Sequence, residues 1–162
     1  MYSAWVRSGE QTATASIPES RNSSKSLCVW SDDDFEFFID PTMSQRWFWR
    51  FFQNFAGTRF TSKPIGWEDN LYNPDYESAI AVGDDFWAIE MKIPWGVFAS
   101  QINSVSGNVE GGHLTGELPQ SGDRWGVNVC RNRQQSHPSR VQWTGVTAFP
   151  YDPTRFGILE FE

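Results

Sequence analysis

Acidic side chains and aromatic rings alternate closely in VWSDDDFEFFIDP, residues 29–41. Carboxylates at that density suit three chemistries: an acid pair for glycoside hydrolysis, a cradle for a hard cation, or polar contacts in a binding site. Hydrolysis needs two acids flanking the bond at a fixed separation. Glu36, Glu90 and the Asp32–Asp34 run supply acids, but no spacing singles out a pair. His113 and His137 lie in polar stretches without a serine elbow or a metal motif, which leaves a nucleophilic triad or a metallohydrolase unsupported. Met43, Met91 and the two histidines are residue types of haem or copper sites, yet Met91 falls on an apolar strand face and reads as core filler. Asp32, Asp33, Asp34, Asp84 and Asp85 sit at turns, and calcium wants several oxygens close together. Asp32, Asp33 and Asp34 are therefore candidates for a structural calcium, without the full ligand spacing of a calcium loop; turn chemistry and solubility explain them equally well.

The aromatic surplus points elsewhere. Nine Trp, 13 Phe and 4 Tyr make up 16% of 162 residues, more indoles than a core of this size needs. Some are expected at the surface, where an amphipathic ring serves recognition. Pyranose rings present C–H faces that lie flat on tryptophan, while their hydroxyls need Glu, Asn, Arg or Gln at the rim. An apolar platform with a few placed polar groups is the usual make-up of a small-molecule site. Trp30, just ahead of a strand carrying Glu36, has that form.

Those residues need elements to hold them. No helical period of useful length is present; short alternating runs between Gly, Pro, Asn and Asp clusters predict an all-β sandwich of two antiparallel sheets. Strands are expected at 1–6, 35–40, 46–54, 76–82, 86–93, 125–131, 141–144 and 156–161, with a turn at 56–58 and a hairpin across Gly83-Asp84-Asp85. IPWGVF at 93–98 reads as a strand entering a short helical turn, and 7–27 and 99–122 as long polar loops. Alternation sorts the side chains. Phe35, Phe37 and Ile39 oppose Glu36 and Phe38; Trp125, Val127 and Val129 oppose Asn128 and Cys130; Arg50, Phe52 and Asn54 share one side. Each strand thus has a plain core face and a second face mixing aromatics with amides and charges. That second face is either a solvated outer sheet or a ligand-binding surface.

The net charge of −7 disfavours nucleic acid, whose binding rests on cationic contacts to phosphate, and an anionic membrane surface. No apolar run approaches the ~18 residues of a spanning helix, and no signal-peptide pattern opens the chain. Cys28 and Cys130 lack the spacing of a zinc site; a disulfide between them is an alternative in an extracellular setting.

Five motifs now stand in a fixed order: VWSDDDFEFFIDP, an aromatic strand ending in NFAGT, WAIEMKIPW, WGVNVCR and DPTRFGILEF. In that order they resemble the family 9 carbohydrate-binding modules, a DOMON-like group, from about residue 1 to the end of the chain. The resemblance implies a jelly-roll-type β-sandwich, no catalysis, sugar binding, and structural calcium in some members, with no other cofactor required. It implies a slot between two tryptophans that holds the reducing end of a glycan. The first slot tryptophan falls on Trp30, the binding glutamate on Glu36 and the asparagine on Asn54. The arginine position falls on Phe52, with Arg50 one pleat earlier on the same face, and the glutamine position on Cys130. The second slot tryptophan falls on Pro150, whose neighbours Phe149 and Tyr151 are the candidates for the other wall. The whole chain, 1–162, is expected as one such module lacking one or two N-terminal strands. Its open sheet edge invites a homodimer. The expected partner is a plant or microbial polysaccharide of the cellulose or xylan type, and the expected setting is extracellular, beside a secreted polysaccharide-active enzyme. A glycoside-active enzyme domain and a ligand-free interaction sandwich are the alternatives.

Overall fold

The structure, a computed structural model, describes residues 32–46, 48–62, 74–84, 86–98, 118–134, 138–145 and 151–162. Eight strands account for most of them: β1 (Asp34–Asp40), β2 (Trp49–Asn54), β3 (Arg59–Ser62), β4 (Glu77–Val82), β5 (Trp87–Lys92), β6 (Arg124–Arg133), β7 (Ser139–Gln142) and β8 (Gly157–Glu160). They form two antiparallel sheets, one in the order β3-β2-β1-β6-β7 with β8 also on β6, the other the hairpin β4-β5. No helix among the described residues is long and apolar enough to cross a membrane.

The predicted alternation holds along β1 and β6, although Phe35 and Val129, expected on the core face, are half-buried and outside the core cluster. Ile39, Trp49, Phe51, Trp125 and Val127 line the inner face of the larger sheet and cluster with Tyr76, Val97 and Phe98. Met91 and Ile93 from β5 and its exit pack against that cluster, so the hairpin closes the second layer of the sandwich. The rings meet edge to face, as their quadrupoles favour: Trp125 lies 5.3 Å from Trp95 and 5.0 Å from Phe161, and Trp49 lies 5.7 Å from Phe98. The tryptophan surplus thus divides. Trp49 and Trp125 are core, whereas Trp143 is 61% exposed and rests over Gly157, where a Cβ would meet the indole at 2.6 Å.

Turn chemistry sets the register. Gly83 N–H donates to Phe86 C=O, closing the hairpin the sequence predicts, and Gly57 at φ 83° turns β2 into β3. The short strand β3 was not expected: RFTS is too brief and mixed to stand out, and it exists because β2 offers it a ladder from Arg50–Ser62 to Gln53–Arg59. β7 begins two residues before the predicted span and ends two residues before it, a shift set by its pairing of Cys130 with Gln142. The turn at 96–98 forms as expected, with Val97 and Phe98 N–H donating to the Pro94 and Trp95 carbonyls. The expected strand at 1–6, the loop at 7–27 and residues 99–117 of the loop at 99–122 lie outside the described residues.

Asp40 ends β1 at 1% exposure, and its carboxylate organises the chain reversal. Oδ1 accepts from Thr42 N–H (3.1 Å) and Thr42 Oγ1 (2.6 Å); Oδ2 accepts from Ser44 Oγ (3.2 Å) and Gln45 N–H (2.8 Å). These bonds hold Met43 and Gln45 at φ 51° and 56°, a region L-residues avoid. Asp40→Ala removes all four of these bonds and leaves the strained turn unsupported. It is expected to destabilise the chain by about 2 kcal/mol in urea denaturation; an unchanged midpoint would remove Asp40 from this role.

Candidate functional site

Pairing β1 between β2 and β6 stacks their second faces into cross-strand rows. In one row Phe60, Phe52, Glu36, Cys130 and Gln142 stand side by side across five strands. The next row holds Asn54, Asp34, Asn132 and Arg140; on the other side lie Ser62, Arg50, Phe38 and Asn128. Same-row side chains lie within contact distance, so the ladder alone brings together groups up to a hundred residues apart in sequence.

Asn132 ties two rows together. Its Nδ2 donates to Asp34 Oδ1 at 2.8 Å and to Glu36 Oε1 in a short hydrogen bond. Its Oδ1 accepts from Arg140 Nε at 2.6 Å, and the Cys130 thiol points to the same oxygen at 3.7 Å. With the oxygen on a guanidinium and the nitrogen on two carboxyl groups, only one orientation of the amide fits. Asp34 and Glu36 are 0% and 1% exposed, and Asp34 Oδ2 and Glu36 Oε2 have no hydrogen-bond partner among the described residues.

Burial in this setting disfavours the charged form. The Glu36 carboxyl is pushed from 4.5 up to about 7, first by burial, then by the neighbouring Asp34; Arg50, the Asn132 bond and Arg140 pull the other way. Asp34 rises to about 6, again chiefly through burial, opposed by Asn132 and Arg140. The Cys130 thiol is held up to about 12 by burial and then by Glu36, so it stays protonated and inert.

Arg50 reaches over this acidic centre from β2. Its guanidinium carbon lies 4.3 Å from the Phe52 ring centroid, 4.8 Å from Tyr151 and 5.8 Å from Phe60. Its Nε is buried with no partner among the described residues. Tyr151 meets Phe38 edge-on at 5.6 Å, and Phe48 and Phe156 complete that ring cluster. Its hydroxyl is raised by burial first and by Glu36 second. Beside the buried acids the side chains nearest solvent are the half-buried Tyr151 and the exposed Arg140.

The candidates sort as follows. Glu36, Arg50, Phe52, Cys130 and Tyr151 gather on one face. Phe52 and Cys130, at 1% and 0% exposure, form its floor. Asn54 stands at the end of that face; its Oδ1 caps the turn by accepting from Thr58 N–H at 2.8 Å, and its Nδ2 lies 3.5 Å from Asp32 Oδ2. Trp30, Phe149, Pro150 and Cys28 lie outside the described residues, as do His113 and His137. Cys130 carries a free, buried thiol. Arg131 takes the core-side parity at the sheet's end, where its guanidinium lies 4.0 Å from Asp33.

Two expectations need correction. On β1, β2 and β6 the second face is buried, which removes the solvated outer sheet as its description there, whereas Glu90 and Lys92 on the second face of β5 are exposed as that reading expects. Asp34 is not a turn or solvent residue but the first residue of β1, fully enclosed. Asp32 and Asp33 do lie in a bend ahead of β1: Asp32 Oδ1 accepts from Asp33 N–H within the bend, whereas Asp33 Oδ1 accepts from Gln134 N–H just beyond the end of β6. Among the described residues no group of three or more His, Cys, Asp or Glu side chains is placed to hold a metal ion.

Asn132 and Arg140 were missed, and Asp34 was read as a turn or calcium residue and not as part of this face. Alternation through Asn128 and Cys130 extends to Asn132, so that signal was present one residue beyond the predicted strand. Arg140 carried none, because the register of β7 is set by its partner strand.

No protein-family model and no curated protein matches the chain. A solved structure does: a family 9 carbohydrate-binding module from Caldicellulosiruptor kristjanssonii in complex with cellotriose, at 15% identity and a TM-score of 0.57. The likeness covers 89% of this chain and 63% of that one, so the chain spans under two thirds of its neighbour's length. The two share their β-sandwich fold.

Proposed function

We propose that this chain is a non-catalytic carbohydrate-binding module that takes a cellulose- or xylan-type glycan. The observation that carries the reading is the face just described: buried carboxyl oxygens and a guanidinium nitrogen with unfilled hydrogen-bonding capacity, set beside the Tyr151 ring. Buried polar groups are costly when unpaired, and a sugar hydroxyl both donates and accepts. The shared fold with a module that holds cellotriose gives this face a precedent. In this reading Trp30 is the stacking platform and Tyr151 or Phe149 the opposing wall. Glu36 and Arg50 meet hydroxyls, and Asn54 donates and accepts at the rim. Phe52 and Cys130 shape the floor. A structural calcium at Asp32 and Asp33, secretion beside a polysaccharide-active enzyme, and pairing of two copies along an open sheet edge belong to the same proposal.

Hydrolysis fits poorly. Asp34 and Glu36 are two residues apart on one strand and bind the same amide, which leaves no room between them for a glycosidic oxygen. The depth of burial at Glu36 favours one competing reading, a ligand-free structural sandwich. Calorimetry with cellotriose separates the two. The parent is expected to bind, and Trp30→Ala or Tyr151→Ala to lose about tenfold in affinity through lost stacking; Tyr151→Ala also lowers the melting temperature, because the ring packs on Phe38 and Arg50. No heat from the parent across cello- and xylo-oligosaccharides would establish the ligand-free reading. Full affinity in Trp30→Ala would remove the platform.

A further inference from the structure

Arg140 is placed unlike three other exposed arginines. Arg124, Arg131 and Arg155 each have a carboxylate oxygen within 4.0 Å, on Glu160, Asp33 and Asp152. Arg140 is also exposed, yet among the described residues no carboxylate stands at ion-pair distance from it. Its Nε donates to Asn132 Oδ1 at 2.6 Å. Asn132 cannot turn away, because its Nδ2 is bonded to both Asp34 and Glu36. The guanidinium is thus pinned at one corner to a buried amide. It is planar and carries its donors as a rigid fork, so fixing Nε also sets the direction of the two terminal nitrogens.

The ladder sets Arg140 opposite Asn132, in the row of Asp34 and Asn54 on the mixed face. Its charge bears on Glu36 and on Tyr151, as that of Arg50 does, so both cations stand over one centre. Arg50 is buried among rings, whereas Arg140 is open to solvent beside the half-buried Tyr151. An aromatic surface and a forked cation therefore share one mouth.

We propose that Arg140 is a specificity residue of this face, whose terminal nitrogens take the carboxylate of a uronic acid carried on a xylan-type chain. The proposal rests on the function proposed above and narrows its ligand to acid-substituted glycans. A hydroxyl is served as well by an amide as by a guanidinium, but a carboxylate is not. Its two oxygens match two parallel N–H groups, and charge-assisted bonds of that geometry are roughly twice as strong as neutral ones. Asp34 and Glu36 oppose an incoming anion. They lie behind Asn132, however, so a carboxylate on the fork is nearer the cation than either acid, and the nearer charge dominates. Nothing buried has to be uncovered, because the ligand meets Arg140 and Tyr151 where they already reach solvent.

Calorimetry on the full chain compares xylotriose with xylotriose bearing one glucuronic acid. The parent is expected to bind the acidic sugar about tenfold more tightly at about 0.01 M salt, and that ratio to shrink at about 1 M as the charges are screened. Arg140→Ala brings the ratio to about one. Arg140→Lys keeps the charge but neither the planar fork nor the bond to Asn132, and is expected to retain only part of the ratio. Melting temperatures confirm that each variant is folded; should Arg140→Ala not fold, Arg140→Lys and the salt series decide. Equal affinity of the parent for the two sugars overturns the inference and leaves the proposed function standing. A full preference surviving in both variants assigns the carboxylate to other groups and also overturns it. Binding of neither of these sugars nor of cellotriose overturns the proposed function and this inference with it.

Discussion

Arg50→Ala is expected to destabilise the chain by about 3 kcal/mol near neutral pH and to abolish measurable sugar binding. The guanidinium does two things at once. It lies over the Phe52 and Tyr151 rings at 4.3 and 4.8 Å, an attraction of about 1 kcal/mol for each well-placed ring. It is also the β2 cation that favours ionisation of Glu36. Removing it strands a buried acid and empties the space between Tyr151 and the floor. The pH dependence separates the two contributions. Without Arg50, Glu36 is held still further above about 7. At low pH Glu36 carries its proton with or without Arg50, so only stacking and packing are lost. At higher pH the parent holds a carboxylate opposite its cation and the variant does not, so the penalty grows. Urea denaturation at about pH 5 and about pH 8 measures this difference. A penalty equal at both would confine Arg50 to packing. Arg50→Lys keeps the charge but not the planar stack, and is expected to recover the pH-dependent part more fully than the rest.

Trp125→Ala is the largest expected loss of stability, about 4 kcal/mol, because truncating a buried Trp removes both transfer free energy and packing. The indole is 5% exposed and meets Trp95, Phe98 and Phe161 at 5.3, 5.3 and 5.0 Å. Those rings come from the exit of β5, the turn that follows it and the residue after β8, so one side chain joins segments across both layers. Collapse into the cavity is opposed by the edge-to-face geometry, which fixes the neighbouring rings. Urea midpoints report the change; an unaltered slope shows that stability moved and not the extent of unfolding. Because Trp125 faces away from Glu36 on β6, the fraction that stays folded is expected to bind cellotriose with parental affinity. Lost affinity at full folding would mean that the two faces of β6 are coupled.

How far the sequence reached is clearest at β1. Alternation alone assigned Phe37 and Ile39 to the core and Glu36 to the other side, and the structure agrees. The same rule paired β4 with β5 through Gly83 and put Trp125 and Val127 inside. A period of two is a local property, written in every strand long enough to repeat it. β3 and the position of β7 were not legible. Four residues hold too few repeats to specify a strand, and their register comes from the neighbour that supplies the ladder. Arg140 reaches Asn132 only because Cys130 pairs with Gln142 and Asn132 with Arg140.

The sequence by itself therefore determined which side chains share a face: Glu36 with Phe38, Arg50 with Phe52 and Asn54, Cys130 with Asn128. It determined the all-β class for the same reason, since hydrophobic periodicity is set between neighbours along the chain. Only the tertiary structure decided that Asp34 and Glu36 share one amide, that Arg50 lies among three rings, and that the mixed face is buried on β1, β2 and β6. Those facts depend on inter-strand register and on which elements cover a face. They join residues up to 98 positions apart, a separation at which no pattern along the chain carries information. The acids among phenylalanines at 29–41 carried the pattern; cross-strand packing gave two of them, Asp34 and Glu36, a buried partner in Asn132 and values near neutrality.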